Sequence, residues 1–138
     1  FGVIFSELLG EGDGIAVTRA TLEMLSRLAI DIVIPGHGRP FAGVDAAFAR
    51  AFRRVDSFAA DIDKLAWHAI KVLVSFAMLE RGRLPAGEFP AFVLGLPFAS
   101  SINHRYLNLS DDRLVERIER ELLLVDALRR ADGFLVAG

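Results

Sequence analysis

His37, His68 and His104 are the three imidazoles of the 138-residue chain, which has no cysteine. Any transition-metal site must therefore be built from imidazole and carboxylate, without thiolate. His37 has the context that best suits a ligand. It lies in Pro35-Gly36-His37-Gly38-Arg39-Pro40, directly after the apolar run Ile32-Val33-Ile34. Glycines on both sides allow backbone angles closed to other residues and let a ligand approach the main chain closely. One imidazole is not a metal site, because a catalytic zinc takes about three protein ligands and keeps a position open for water. On residue types and spacing alone, His37 is either one ligand of a set or a loop histidine bonded to backbone.

The remaining polar candidates are weaker. His68 sits in Ala66-Trp67-His68-Ala69-Ile70, where helical neighbours Lys64, Lys71 and Val72 offer no second ligand. It reads as a surface or interface histidine, and Trp67 as a packing anchor. His104, in Asn103-His104-Arg105-Tyr106, either caps neighbouring backbone or lines the mouth of an active site. Asp13, inside Gly10-Glu11-Gly12-Asp13-Gly14, reads as a turn residue rather than a ligand. Arg39 either reaches an anionic substrate group or pairs with a nearby carboxylate. Arg113, Glu116, Arg117, Glu119, Arg120 and Glu121 alternate in sign along one segment. Glu116 with Arg120, and Arg117 with Glu121, are spaced to pair along a helix. A nucleic-acid interface calls for a basic stripe, so a solvated face or a dimer contact is expected there and no nucleic acid.

The elements that position these residues follow from pattern. Val3-Ile4-Phe5 predicts a strand or its end, and the glycine-rich stretch at residues 10–14 a loop. A helix is predicted over about Thr18 to Leu28, with Leu22, Leu25 and Ala29 on its inner face. Asp31 to Ile34 predicts a short buried strand that Pro35 ends. Helix, strand and glycine-rich loop make residues 1–42 an α/β segment, with His37 at the C-terminal end of its strand. Beyond it, residues 43–138 read as mainly helical. One helix is expected over Asp45 to Ala60. A second carries Leu65, Ala69, Val72, Phe76 and Leu79 inward and closes at Gly82. The two are either continuous or kinked near Asp61. Pro85, Pro90 and Pro97 admit only short helices. Ser110 is set to cap a helix over Asp111 to Leu124, with two aspartates in its first turn. Asp132-Gly133 between apolar runs predicts a tight terminal hairpin, hence a winged-helix-like end.

Val33-Ile34-Pro35-Gly36-His37-Gly38 resembles the late Pro-Gly-His-Gly motif of the metallo-β-lactamase superfamily, and the helix and apolar run before it match the order of that family's second half. The resemblance covers about residues 1–42, with the helical tail similar to C-terminal extensions of some members. It implies an αββα catalytic fold. It also implies a role for His37 as a ligand of the second metal in a one- or two-metal centre, zinc foremost, with iron or manganese as alternatives. The implied reaction is hydrolysis of an ester, thioester or lactone-type bond by metal-bound hydroxide. The family's His-x-His-x-Asp-His motif, its further histidine and its bridging aspartate have no counterpart here, and Asp13 lies too far along to stand for the last. The resemblance therefore implies a C-terminal part of a hydrolase, inactive alone, whose partner is a missing N-terminal catalytic half and whose substrate is a small molecule.

Composition adds bounds. The chain is 53% hydrophobic with a net charge of −2. Its mean hydropathy of +0.40 is high for this size, and suggests apolar surface that another segment or chain must cover. The opening run Phe1 to Phe5 reads as the interior of a domain, so homo-oligomerisation or segment exchange through residues 1–40 is expected. No apolar stretch approaches the roughly 20 residues of a membrane span. Lack of cysteine suits a cytoplasmic location. The competing reading makes residues 45–138 a dimerisation or protein-interaction module without catalysis.

Overall fold

In the computed structural model the described residues are 4–10, 12–35 and 39–138. They are mainly helical and carry one small three-stranded antiparallel sheet. They fall into two compact units, Phe1–Lys64 and Leu65–Gly138.

The first unit is built from α1 (Phe5–Leu9), α2 (Gly14–Ser26) and α3 (Val44–Ala60). Phe5 opens a helix, not the end of a strand, and residue 3 lies outside the described residues. Gly10 closes α1 in the left-handed region at φ 72°. The chain then turns so tightly that a side chain at Gly14 would collide with Ser6 and Ile4. The Glu7 carboxylate accepts the Ile15 N–H at 3.2 Å, satisfying one of the donors that a helix start leaves open. Helix α2 thus begins four residues before the expected Thr18. It packs on α3, where Arg19 pairs with Glu23 and Asp56 and lies over the Phe52 ring.

Asp31 to Ile34 is not a buried strand. A single antiparallel bridge joins Val33 to Phe41, with both N–H···O distances at 3.0 Å. Ile32 is 62% and Ile34 81% exposed. Proline at 35 removes the N–H that would extend the ladder inward from this bridge. The α/β character expected of residues 1–42 is accordingly absent among the described residues, which there form helices and one bridge. Helix α3 matches its expected span. Extended backbone at Asp61 ends it, and the Asp61 carboxylate accepts the Lys64 N–H at 3.1 Å at the start of α4 (Ile62–Arg81). The two helices are therefore separate.

In the second unit α4 runs to Gly82, whose φ of 77° fits a glycine stop. Its inner face carries Ala66, Ile70, Val74 and Met78 as well as Leu65 and Ala69. Phe76 and Leu79, expected inside, are 63% and 54% exposed. This helix is apolar nearly all round, so periodicity does not single out the face that packs.

A short strand, β1 (Arg83–Pro85), follows, then a 3-10 turn at Ala86–Glu88, α5 (Phe89–Leu94), α6 (Pro97–Ile102) and one π-helical turn at Asn103–Leu107. Next come α7 (Asp111–Leu124), β2 (Leu128–Ala131) and β3 (Phe134–Ala137). Helix α7 and the hairpin stand where the sequence puts them, with Asp132 and Gly133 at φ 48° and 82°, but the Ser110 side chain does not make the expected cap bond. Strand β3 is central, paired to β2 on one side and β1 on the other, with Leu84 opposite Leu135. Pro85 is tolerated because β1 is an edge strand. The buried face of α7, Leu114, Val115, Ile118 and Leu122, packs towards α5 and β2.

Phe89 has no exposed surface. Phe89→Ala is expected to cost about 3–5 kcal/mol in urea unfolding. Phe76→Ala, on the outer side of α4, is expected to stay within about 0.5 kcal/mol.

Candidate functional site

The segment that carries the Pro-Gly-His-Gly motif is flanked by a single backbone bridge. Val33 and Phe41, one on each side of that motif, exchange both backbone hydrogen bonds. His37, with its two glycines, lies outside the described residues. Arg39 and Pro40, on the descending side, are exposed, as is Ile34 on the ascending side.

The other candidates do not converge on a metal site. Asp13 precedes the first residue of α2, is exposed, and makes no side-chain cap. His68 is half-buried on α4, and His104 is exposed in the π-helical turn. Among the described residues no group of three or more His, Asp or Glu side chains is placed to hold a metal ion.

The π-helical turn has a local structural cause. Asn103 is buried, and its side chain donates to the Leu109 carbonyl at 2.8 Å while accepting the Leu109 N–H at 3.1 Å. Asn108 takes the left-handed region at φ 49°, and its N–H bonds the Asn103 carbonyl at 2.7 Å. A buried amide in this way satisfies itself on a turn that delivers Ser110, in extended backbone, to the start of α7.

The most highly organised polar cluster lies between α4 and α7. Glu121 accepts the Trp67 indole N–H at 2.7 Å, the Lys71 ammonium at 2.8 Å and the Arg117 Nε–H at 3.1 Å. The Arg117 guanidinium stands 4.0 Å from the Trp67 ring centroid. Partial burial pushes the Glu121 carboxyl up. Hydrogen bonds from Lys71, Trp67 and Arg117, with the Lys71 charge, outweigh that and hold it at about 2 instead of 4.5. The Arg117–Glu121 pair is the one the sequence spacing foresees. Trp67 and Lys71 are not foreseen as its partners, although their four-residue spacing places both on one face of α4. The matching Glu116–Arg120 pair does not form among the described residues, because neither side chain has an ion-pair partner there.

No family model, no curated protein and no solved structure matches the chain.

Because the Glu121 carboxyl is held below its ordinary range, its contribution to stability is complete above about pH 4.5 and is lost as pH falls towards about 2. Glu121→Gln is expected to lower the unfolding free energy by about 1–3 kcal/mol at neutral pH. The gap from the unsubstituted chain should narrow steadily below pH 4.5 in urea titrations at stepped pH.

Proposed function

We propose that the chain is the C-terminal part of a metal-dependent hydrolase of the metallo-β-lactamase superfamily, acting on an ester, thioester or lactone bond of a small molecule. The observation that carries this reading is Pro35-Gly36-His37-Gly38, with one imidazole between two glycines. The Val33–Phe41 bridge supports it, because it ties together the two segments that flank the motif. In this reading residues 1–42 belong to the catalytic fold, and His37 is one ligand of a zinc centre, or of an iron or manganese one. The remaining ligands belong to an N-terminal half outside these residues. When bound, the metal supplies Lewis acidity and an activated water. Residues 43–138 make the helical extension. Helix α7 leading directly into a hairpin, with β3 between β1 and β2, supports a winged-helix-like reading of its end.

Exposed apolar side chains in the first unit support a missing covering surface. Val17, Met24 and Leu28 are 65%, 59% and 56% exposed. Their spacing puts them on one side of α2 and its continuation, and exposed apolar surface of this kind marks an interface. The same observation favours a second reading, in which a further copy of this chain covers that face and the chain acts as an interaction module.

In the full-length protein, His37→Ala is expected to lower ester, thioester or lactone hydrolysis by about a hundredfold or more and to reduce bound zinc. Unchanged turnover and metal content, by steady-state kinetics and elemental analysis, would remove the hydrolase reading. The 138-residue chain alone is expected to be inactive. Light scattering separates the second reading, which requires a dimer that Met24→Asp dissociates.

A further inference from the structure

The outer side of α7 differs from what its alternating charges suggest. Arg113, Glu116, Arg117 and Arg120 fall on one stripe of the helix and, with Leu109, line a surface pocket of about 180 Å³. Two of the helix's acids are drawn away from it. Glu119 pairs with Arg130 of β2 at 2.6 Å, and Glu121 is taken up by Lys71, Trp67 and Arg117. The pocket keeps three guanidiniums against the single carboxylate of Glu116. Among the described residues, Arg113 and Arg120 have no ion-pair partner.

Arg117 is already ordered. Its Nε–H is committed to Glu121 at 3.1 Å and its Cζ lies 4.0 Å from the Trp67 ring centroid, which leaves the terminal nitrogens to serve the pocket. A guanidinium fixed by stacking loses little further freedom when it binds an oxyanion. Arg113 and Arg120 flank it along the stripe, about one turn to either side. Three forked donors around one small volume suit a tetrahedral dianion better than a carboxylate, which one fork satisfies.

We infer that this pocket binds a single phosphoryl group, as a phosphomonoester or free phosphate. The site is bounded. Asp111 and Asp112 stand in the first turn of the same helix, Glu116 lies within the pocket, and the whole chain carries −2, so no basic track continues for a polyanion. The inference does not rest on the hydrolase reading.

Calorimetric titration of the full chain with inorganic phosphate, phenyl phosphate, benzoate and an oligothymidylate lacking terminal phosphates tests it. Saturable binding of phosphate or phenyl phosphate is expected, with benzoate at least about tenfold weaker. The exposed double variant R113Q/R120Q should weaken binding by about tenfold or more at an unchanged Tm, and E116Q should tighten it. Tighter phenyl phosphate assigns the site to an ester; equal or weaker binding assigns it to the free ion. The proposal is overturned by absence of saturable binding, by binding that R113Q/R120Q leaves intact, by benzoate binding equally well, or by oligothymidylate binding more tightly than either phosphate.

Discussion

Glu121 is where α4 and α7 are joined, and the arrangement of the second unit follows from that junction. A carboxylate withdrawn from water costs free energy that one partner rarely offsets. Here three donors from two helices share it: the Trp67 indole, the Lys71 ammonium and the Arg117 Nε–H. Trp67 and Lys71 are one turn apart on α4, so the carboxylate fixes the rotation of both helices about their axes. With Glu121 facing α4, Leu114, Ile118 and Leu122 turn inward. Arg113, Glu116 and Arg120 are then left facing water.

The same rotation sets the hairpin. Helix α7 ends at Leu124, and the Ala127 N–H bonds back to the Leu122 carbonyl at 3.0 Å, so the chain leaves the helix in a tight turn. That turn starts β2 with Leu128 fully buried, and Arg130 reaches Glu119. The Asp132-Gly133 turn brings β3 back between β2 and β1, which places Leu84 and Leu135 side by side in the core. Strand β1 thus depends on an element fifty residues further along the chain. It is short and contains a proline, and no local signal announces it.

This difference between local and distant causes explains what was legible in the sequence. Gly82 and Asp132-Gly133 act on their own backbone, and the elements they bound appear where expected, as does the helix after Ser110 although the Ser110 side chain makes no cap bond. Asp31 to Ile34 is apolar enough for a strand, yet strand formation needs a ladder partner, and only Phe41 offers one. Phe76 and Leu79 face outward on a helix whose apolar residues surround it, where tertiary packing and not periodicity chooses the face. At the candidate site the motif around His37 was legible, and the Val33–Phe41 bridge that flanks it was not. The α4 partners of Glu121 lie 54 and 50 residues away, beyond any spacing rule.

Charge shows the same effect more sharply. Read along the chain, α7 alternates in sign and its face looks neutral. Folding sorts those charges, because acids that find cations on α4 and β2 leave the outer stripe while the arginines beside them do not. A helix can therefore present a cationic pocket within a chain of net negative charge. The outer face of α2 is the apolar counterpart, with Val17 and Met24 open to water. Covering that face releases water from hydrocarbon and depends little on salt, whereas filling the arginine pocket exchanges hydration for ion contact and weakens as ionic strength rises. The two units thus carry surfaces whose occupants obey different physics, and each can be probed while the other is left unchanged.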